Sequence, residues 1–496
     1  MGVIRKQSVW GTIITYLGAF LGFITTGILF PRIFASDQIG LLAIVVSYAT
    51  VLSTFSSLGI YQVIGRFFPY FKNKENYHNG FLSLIILVSL FGFLITSATY
   101  PFIRDFFINK SGESYLLSNY IKYLIPFVFV ILFFDLFDSY YRFLHNIMLG
   151  SFLKEVVQRI IILGGAVLFF FSVISFENFF NIYFLAFAVP TLVMIFSLIK
   201  KKEFTIIPQP GFLSKKLRNS MISVALFGII SSFAGIVNTN IDKILIERLM
   251  GLNNVGVYTI AFFFGVLIVI PSRPLIKISS AYISEAWRGK DIGLIKKIYV
   301  KSSINQFIIG LLLFIGIWCN IHNIFKILPA EYYEGKWVIF IIGLAYLTDM
   351  LIGPSANILG SSRFYKFVTY IIIILVIVTI VLNLIFIPIW GLVGAALATF
   401  VSKVFTNSLF VLTVQKKYKL FPFNFNHLII AGIGVLVFVL NYFLPVNQNF
   451  IFDIFYRSSI ITLVFVTLIY LTKVSEDLNE TMRHVFGLIL KIKDRN

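Results

Sequence analysis

Charged and amide side chains interrupt this 496-residue chain at a few places inside otherwise apolar runs, where each must bind or pair with something. Asn238, Asn240 and Asp242 stand at i, i+2 and i+4 in "NTNIDKILIERLMGLNNVGVYTI" (238–260). Asp135 and Asp138 stand at i and i+3 in "FFDLFDSYYRF", with Arg142 one turn beyond Asp138. Arg66, Arg273, Lys277, Lys403 and Asp349 lie near or within further apolar runs. This inventory suits binding and ion pairing. It does not suit covalent or metal chemistry: the single cysteine, Cys319, cannot form an intramolecular disulfide, and the five histidines are scattered without metal-ligand spacing. No cofactor and no metal are expected. Two carboxylates without an extramembrane pocket do not make a glycosidase.

The elements that must position these residues are set by hydropathy. The chain is 58% hydrophobic and 12% charged, with a mean hydropathy of +0.92, more apolar surface than a soluble domain of this length could hide. Apolar segments of about 20 residues recur throughout, each long enough to cross a hydrocarbon core of roughly 30 Å. The runs are continuous, without the alternation of a barrel strand. The fold class expected is an all-α polytopic membrane protein of about 14 transmembrane helices. They run near 10–33, 40–63, 79–103, 118–141, 154–175, 179–200, 219–243, 254–279, 302–325, 336–360, 366–388, 391–414, 427–445 and 452–472. Breaks at "SFEN" and "PIWG" are very short, so the fifth and sixth spans, and the eleventh and twelfth, read as tight hairpins. The N-terminus reads as a signal anchor, since no small-residue cleavage site precedes the first full-length span.

Net charge is +20. Two readings stand: the Lys/Arg excess of cytoplasmic loops, and an anionic substrate. Nucleic acid is not an expected partner, since no basic soluble domain exists to carry it. With the N-terminus inside, about 30 basic residues fall on the cytoplasmic side and about 7 outside, so both termini are expected in the cytoplasm.

The chain repeats itself. At an offset of 216 positions, "ILFPRIFASDQIGLLAI" (28–44) lies on "ILIERLMGLNNVGVYTI" (244–260), placing Gly40 on Gly256. Two six-helix lobes are expected, 1–203 and 219–415, related by an axis along the membrane normal. A cytoplasmic connection (204–218) joins them. Two additional helices (416–473) and a cytoplasmic tail (474–496) follow.

Two segments carry a family resemblance. "NTNIDKILIERLMGLNNVGVYTIA" resembles the seventh-to-eighth helix signature of the polysaccharide-export branch of the multidrug/oligosaccharidyl-lipid/polysaccharide (MOP) exporter superfamily. "LNLIFIPIWGLVGAALATFVSK" (382–403) resembles its eleventh-to-twelfth helix signature. The resemblance implies a Wzx-like flippase in the bacterial inner membrane, acting without covalent chemistry on undecaprenyl-diphosphate-linked oligosaccharide. Its product would feed O-antigen, lipopolysaccharide, capsule or exopolysaccharide synthesis, with a glycan polymerase as partner and a monomer as the working state. Span 1 has no arginine in its middle, a departure from the lipid II flippase pattern that argues against peptidoglycan-precursor transport.

Under this reading Arg273, Arg66, Lys277 and Lys403 contact the diphosphate, and Asn238, Asn240 and Asp242 contact sugar hydroxyls. Asp135, Asp138, Arg142 and Asp349 are coupling or cavity charges. Each has a plainer alternative. Arg66, Lys277 and Lys403 can snorkel to the surface. Asp138 and Arg142 can neutralise each other, while Asp135 lacks an obvious local partner. Glu247 and Arg248 read as solvated interface residues. Arg273 stands between Pro271 and Pro274, where freed carbonyls need protein or water beside them. Gly391, Gly394, Ala395 and Ala398 read as helix-packing residues. Two rivals remain: a multidrug exporter of the same superfamily, whose cationic substrates the basic character disfavours, and a membrane glycan polymerase or ligase, which would need a larger external loop than the roughly 14 residues available.

Overall fold

The computed structural model describes residues 2–73, 75–108, 115–144, 148–204 and 209–483, and every regular element among them is helical. Hydrocarbon offers no partner to a backbone amide, so each apolar run satisfies its own as a helix. The helices used below are α1 (Gly2–Gly22), α2 (Ser36–Ser56), α3 (Ile60–Phe71), α4 (Phe81–Ile108), α5 (Leu124–Leu144), α6 (Gln158–Phe170), α7 (Phe176–Lys200), α8 (Lys215–Met250), α9 (Leu252–Val266), α10 (Ser272–Arg288), α11 (Ile292–Cys319), α12 (Lys336–Ile352), α13 (Lys366–Tyr418), α14 (Phe425–Leu440) and α15 (Phe450–Thr472).

Among the described residues, 11 helices are long and apolar enough to cross a membrane. The longest, α13, is two helices joined at Gly391 (φ 57°, ψ −133°), a conformation that excludes a side chain and lies where the short "PIWG" break predicts a hairpin. The helical stretches 148–170 and 215–250 supply two more, which accounts for the fourteen spans. The chain is a multi-pass membrane protein.

Three boundaries differ from expectation. The second span is not continuous over 40–63: α2 stops at Ser56, and Gly59 (φ 73°) starts α3. A Cβ at Gly59 would lie 2.0 Å from the Ala225 carbonyl oxygen, so α8 passes too close for any side chain there. The eighth span is not continuous over 254–279. Pro271, which has no N–H to continue the ladder, caps α10. The seventh span runs on to Met250 rather than ending near 243, because its polar end stays helical up to Gly251 (φ 85°).

The chain packs as two compact units. Met1–Ile260 with Val376–Ala395 form the first; Ala261–Leu375 with Ala396–Asn496 form the second. The core of the first is aromatic, built on Phe68, Phe71, Phe81, Phe137 and Tyr140 between α3, α4 and α5. The second has one core around Phe307, Leu311, Ile430 and Phe465, and another around Ile283, Tyr299, Ile358 and Val414.

Within the first unit Gly40 and Gly256 mark a close helix crossing. A Cβ on Gly40 would meet the Leu252 carbonyl oxygen at 2.0 Å, and one on Gly256 would meet that of Ser36 at 1.9 Å. Ser36 and Leu252 are themselves 216 positions apart, so the contact is reciprocal between repeat equivalents. The Ser36 hydroxyl donates to Asn253 Oδ1 at 2.8 Å beside it.

Candidate functional site

In the second unit α12 and α13 bring together two residues 54 positions apart in sequence: Lys403 Nζ lies 2.6 Å from Asp349 Oδ2. Lys403 stands about 18 Å along its helix from the Gly391 break, and Asp349 about 20 Å from the start of α12, at 1.5 Å per residue. Both stand inside helices long and apolar enough to cross a membrane. There an isolated charge costs roughly 2.5–3.5 kcal/mol, and pairing offsets that cost. Lys403 therefore does not snorkel. Asn407, one turn beyond Lys403 on the same face, donates to Asp349 Oδ1 at 2.8 Å and to Thr348 Oγ1 at 3.0 Å. Tyr346 places its ring 4.4 Å from the ammonium. The group is a polar cluster within the membrane, partly open: the side chains of Lys403 and Asp349 are 14% and 29% exposed.

Arg273 and Lys277 lie one turn apart on α10 and both are exposed. Among the described residues neither side chain has a hydrogen-bond or ion-pair partner. Pro271 starts α10, and the Arg273 amide donates back to the Ile270 carbonyl at 3.2 Å. The same face continues into Ser280 and Ser284, which meet Asn357 Nδ2 at 2.6 Å and Ser361 Oγ at 3.1 Å. Neighbouring positions at i and i+4 hold their Cβ atoms about 5–6 Å apart, so two cations here can each take one phosphate of a diphosphate. In the first unit Arg66 is likewise exposed on α3, whose other face buries Val63, Ile64, Phe67 and Phe68.

The carboxylates of α5 divide. Asp138 is buried and pairs with Arg142, and a Cβ on Gly150 would collide with its carboxylate. Asp135 finds a partner that its own helix does not supply: Lys154 Nζ at 3.8 Å. Asp242 is buried, accepting from the Tyr258 hydroxyl at 2.9 Å and from Asn383 Nδ2 at 2.8 Å. That network ties α8, α9 and α13 together inside the first unit. Asn240 donates back to the Ile236 carbonyl at 2.9 Å. The side chain of Asn238 lies outside the described residues.

The burial of three charges has no signal in the sequence. Glu247 is not solvated: it is 3% exposed and accepts from the Tyr48 hydroxyl at 2.9 Å. Asp453 and Arg457, one turn apart on α15, are 0% and 2% exposed. Asp453 Oδ2 accepts from Arg457 Nε at 3.1 Å, Asn323 Nδ2 at 2.5 Å and His322 Nε2 at 3.0 Å, while Arg457 reaches the Asn441 side chain and the Pro445 carbonyl. The i, i+4 spacing was visible; the burial was not. Among the described residues no three His, Cys, Asp or Glu side chains gather as metal ligands.

The family described as "Polysaccharide biosynthesis protein" matches residues 4–277, more than half of the chain. No curated protein matches. Among solved structures, the chain is similar to the lipid II flippase MurJ in an inward closed conformation, at 15% identity and a TM-score of 0.77, covering 94% of this chain and 100% of that one. It is also similar to an inward-facing multidrug resistance MATE family transporter of the MOP superfamily (14% identity, TM-score 0.62, 82% of this chain and 94% of that one). A third likeness is a MOP superfamily transporter from Pyrococcus furiosus, described for the reverse polarity of its binding pocket (15% identity, TM-score 0.60, 84% of this chain and 96% of that one). The chain belongs to the polysaccharide biosynthesis protein family and has the fold of the MOP-superfamily transporters.

Proposed function

We propose that the protein is a flippase for polyprenyl-diphosphate-linked oligosaccharide repeat units in the bacterial inner membrane, supplying O-antigen, capsule or exopolysaccharide synthesis, and that it is no enzyme. The observation that carries this reading is Arg273 with Lys277: two exposed cations one turn apart on a proline-started helix, left free of protein carboxylates among the described residues. A diphosphate supplies the charge they lack, and the guanidinium offers it a bidentate fork. In the first unit, Arg66 would be a phosphate contact of its own. The family description supports a glycan substrate, and the multidrug alternative gains nothing from a basic chain.

The Lys403–Asp349–Asn407 cluster is the charge that responds to the substrate: an approaching phosphate competes with Asp349 for Lys403. Asp135 with Lys154 and Asp138 with Arg142 would be the corresponding charges of the first unit. Residues 1–203 and 219–415 act as the two repeats of an alternating-access cycle, with 416–473 as two added helices and both termini cytoplasmic. A monomer suffices, with a glycan polymerase as downstream partner. Binding must discriminate little between the two end states, or the head group would not be released.

Complementation of a strain lacking its oligosaccharide flippase tests the reading. Arg273→Ala should abolish surface glycan at unchanged protein level, and Arg273→Lys should restore part of it, because charge remains while the fork is lost. Full surface glycan with Arg273→Ala would refute the assignment.

A further inference from the structure

A cavity of about 460 Å³ lies in the second unit, away from every residue of the site described above. It forms where α11 begins, α14 begins and α15 ends, so three membrane-crossing helices meet there at one side. Lys296, Lys297, Lys301 and Lys473 line it, with Asn305, Asn424 and Asn426 among the polar groups of the wall. Two acids also line it, but both are engaged. Glu476 and Asp477 hold Lys301 at 2.9 and 3.1 Å, and Asn305 donates to Asp477 at 2.8 Å. Ser475 donates to Asn305 at 2.7 Å, and Asn426 to the Val474 carbonyl at 3.1 Å. These bonds fasten the segment after α15 to α11 and α14, so the wall is preformed. Lys296, Lys297 and Lys473 remain exposed and form no ion pair among the described residues. The cavity therefore carries positive charge that the protein does not neutralise.

The side chains flanking this cationic opening are apolar and face outward. Phe425, between Asn424 and Asn426, is 73% exposed; Leu428 is 68% and Leu471 65% exposed. A cationic pocket at helix ends that leads onto exposed aromatic and aliphatic side chains fits a phosphate group with acyl chains attached. It does not fit a free nucleotide, whose base and ribose would meet a lipid-facing surface.

We infer that this cavity is a binding site for the head group of an anionic phospholipid, its phosphate on Lys296, Lys297 and Lys473 and its acyl chains along Phe425, Leu428 and Leu471. The site is separate from the transported substrate and depends on none of the residues assigned to it. Basic groups at a membrane surface each favour anionic lipid, and a preformed pocket confines the head group rather than merely concentrating it nearby. The bound lipid would bridge α11, α14 and α15 and stabilise the segment that follows α15.

Purified full-length protein in a neutral detergent can be titrated with phosphatidylglycerol, with phosphatidylcholine of the same acyl chains, and with inorganic phosphate. Bound lipid is counted by native mass spectrometry and the unfolding temperature is recorded alongside. Phosphatidylglycerol should bind and raise the unfolding temperature; the other two should not. Lys296→Gln/Lys297→Gln/Lys473→Gln should weaken phosphatidylglycerol binding roughly tenfold or more, while Lys200→Gln/Lys215→Gln/Lys216→Gln, the same charge change elsewhere, should leave it intact. Single Lys297→Gln and Lys473→Gln variants, each expected to weaken binding a few-fold, serve if the triple variant does not fold. Equal binding of phosphatidylcholine, or equal losses in the two triple variants, would overturn the site. Saturation by inorganic phosphate at the same concentration would overturn the lipid assignment in favour of a free anion.

Discussion

Lys403 and Asp349 occupy a depth at which either charge alone would be unfavourable, so removing one partner exposes the cost of the other. Asp349→Ala should lower stability by roughly 3 kcal/mol, the low end for a buried pair because this one is partly open, measured as thermal unfolding in detergent. Lys403→Met with Asp349→Asn should regain most of that stability, since no unpaired charge remains. If the pair serves only to hold α12 to α13, the double variant will also export glycan. If Lys403 answers the substrate, the double variant will be stable and inactive. Asp453 provides a structural contrast. Asp453→Ala leaves Arg457 unpaired at 2% exposure and should cost about 3–5 kcal/mol, while having no specific effect on substrate. The sequence shows which charges interrupt apolar runs, because that requires only hydropathy. It does not show their partners. Asp349 and Lys403 are 54 residues apart, and Tyr48 and Glu247 are 199 apart, so their pairing depends on which helices pack together. Asp138 with Arg142 was legible because both lie one turn apart on one helix.

Helix existence follows from runs of apolar residues, and the fourteen-span reading holds at that level. Helix ends do not follow so directly. The break after Ser56 exists because α8 presses on Gly59, a tertiary contact with no signal beyond a glycine in an apolar run. Pro271 was a local signal, as was the "PIWG" turn. The Gly40–Gly256 crossing makes a firm prediction at this scale. Gly40→Ala would place its Cβ 2.0 Å from the Leu252 oxygen and must push the helices apart, at about 1–3 kcal/mol. Gly256→Ala should cost about the same. The double variant should cost less than the sum, because both relieve into one shared gap. Additive losses in unfolding temperature would mean that the two contacts are independent. The segment after α15 carries its own pH dependence. Burial pushes the Asp477 carboxyl up, but hydrogen bonds from Asn305 and Lys301 outweigh it and hold the group below the usual carboxylate range. A depressed folded value means that the contact stabilises above the unfolded pKa and is lost as pH falls through the folded one. Acidification should therefore release this segment to proteolysis in the wild type, whereas Asp477→Ala should be released already at neutral pH and change little on acidification.

For the molecule as a whole, the charge asymmetry makes a topological prediction: both ends of the chain face the cytoplasm. In a Cys319→Ala background, a cysteine at Gln448 should react with an impermeant reagent added outside intact cells, and one at Gln209 only after lysis. The reverse pattern would invert every assignment of side. The family and the fold were legible as a whole because helix count, repeat and two signature segments are distributed along the chain. The substrate was not, because recognition of an anionic head group would rest on a few cations whose exposure emerges from packing. Reconstituted liposomes test the central claim most directly. Protein and polyprenyl-diphosphate-linked oligosaccharide are incorporated together, and the glycan reaching the outer leaflet is measured over time by an impermeant lectin. The account predicts faster appearance with the wild-type protein than in protein-free liposomes and a return to the protein-free rate with Arg273→Ala. A wild-type rate equal to the protein-free rate, or an undiminished rate with Arg273→Ala, would contradict it.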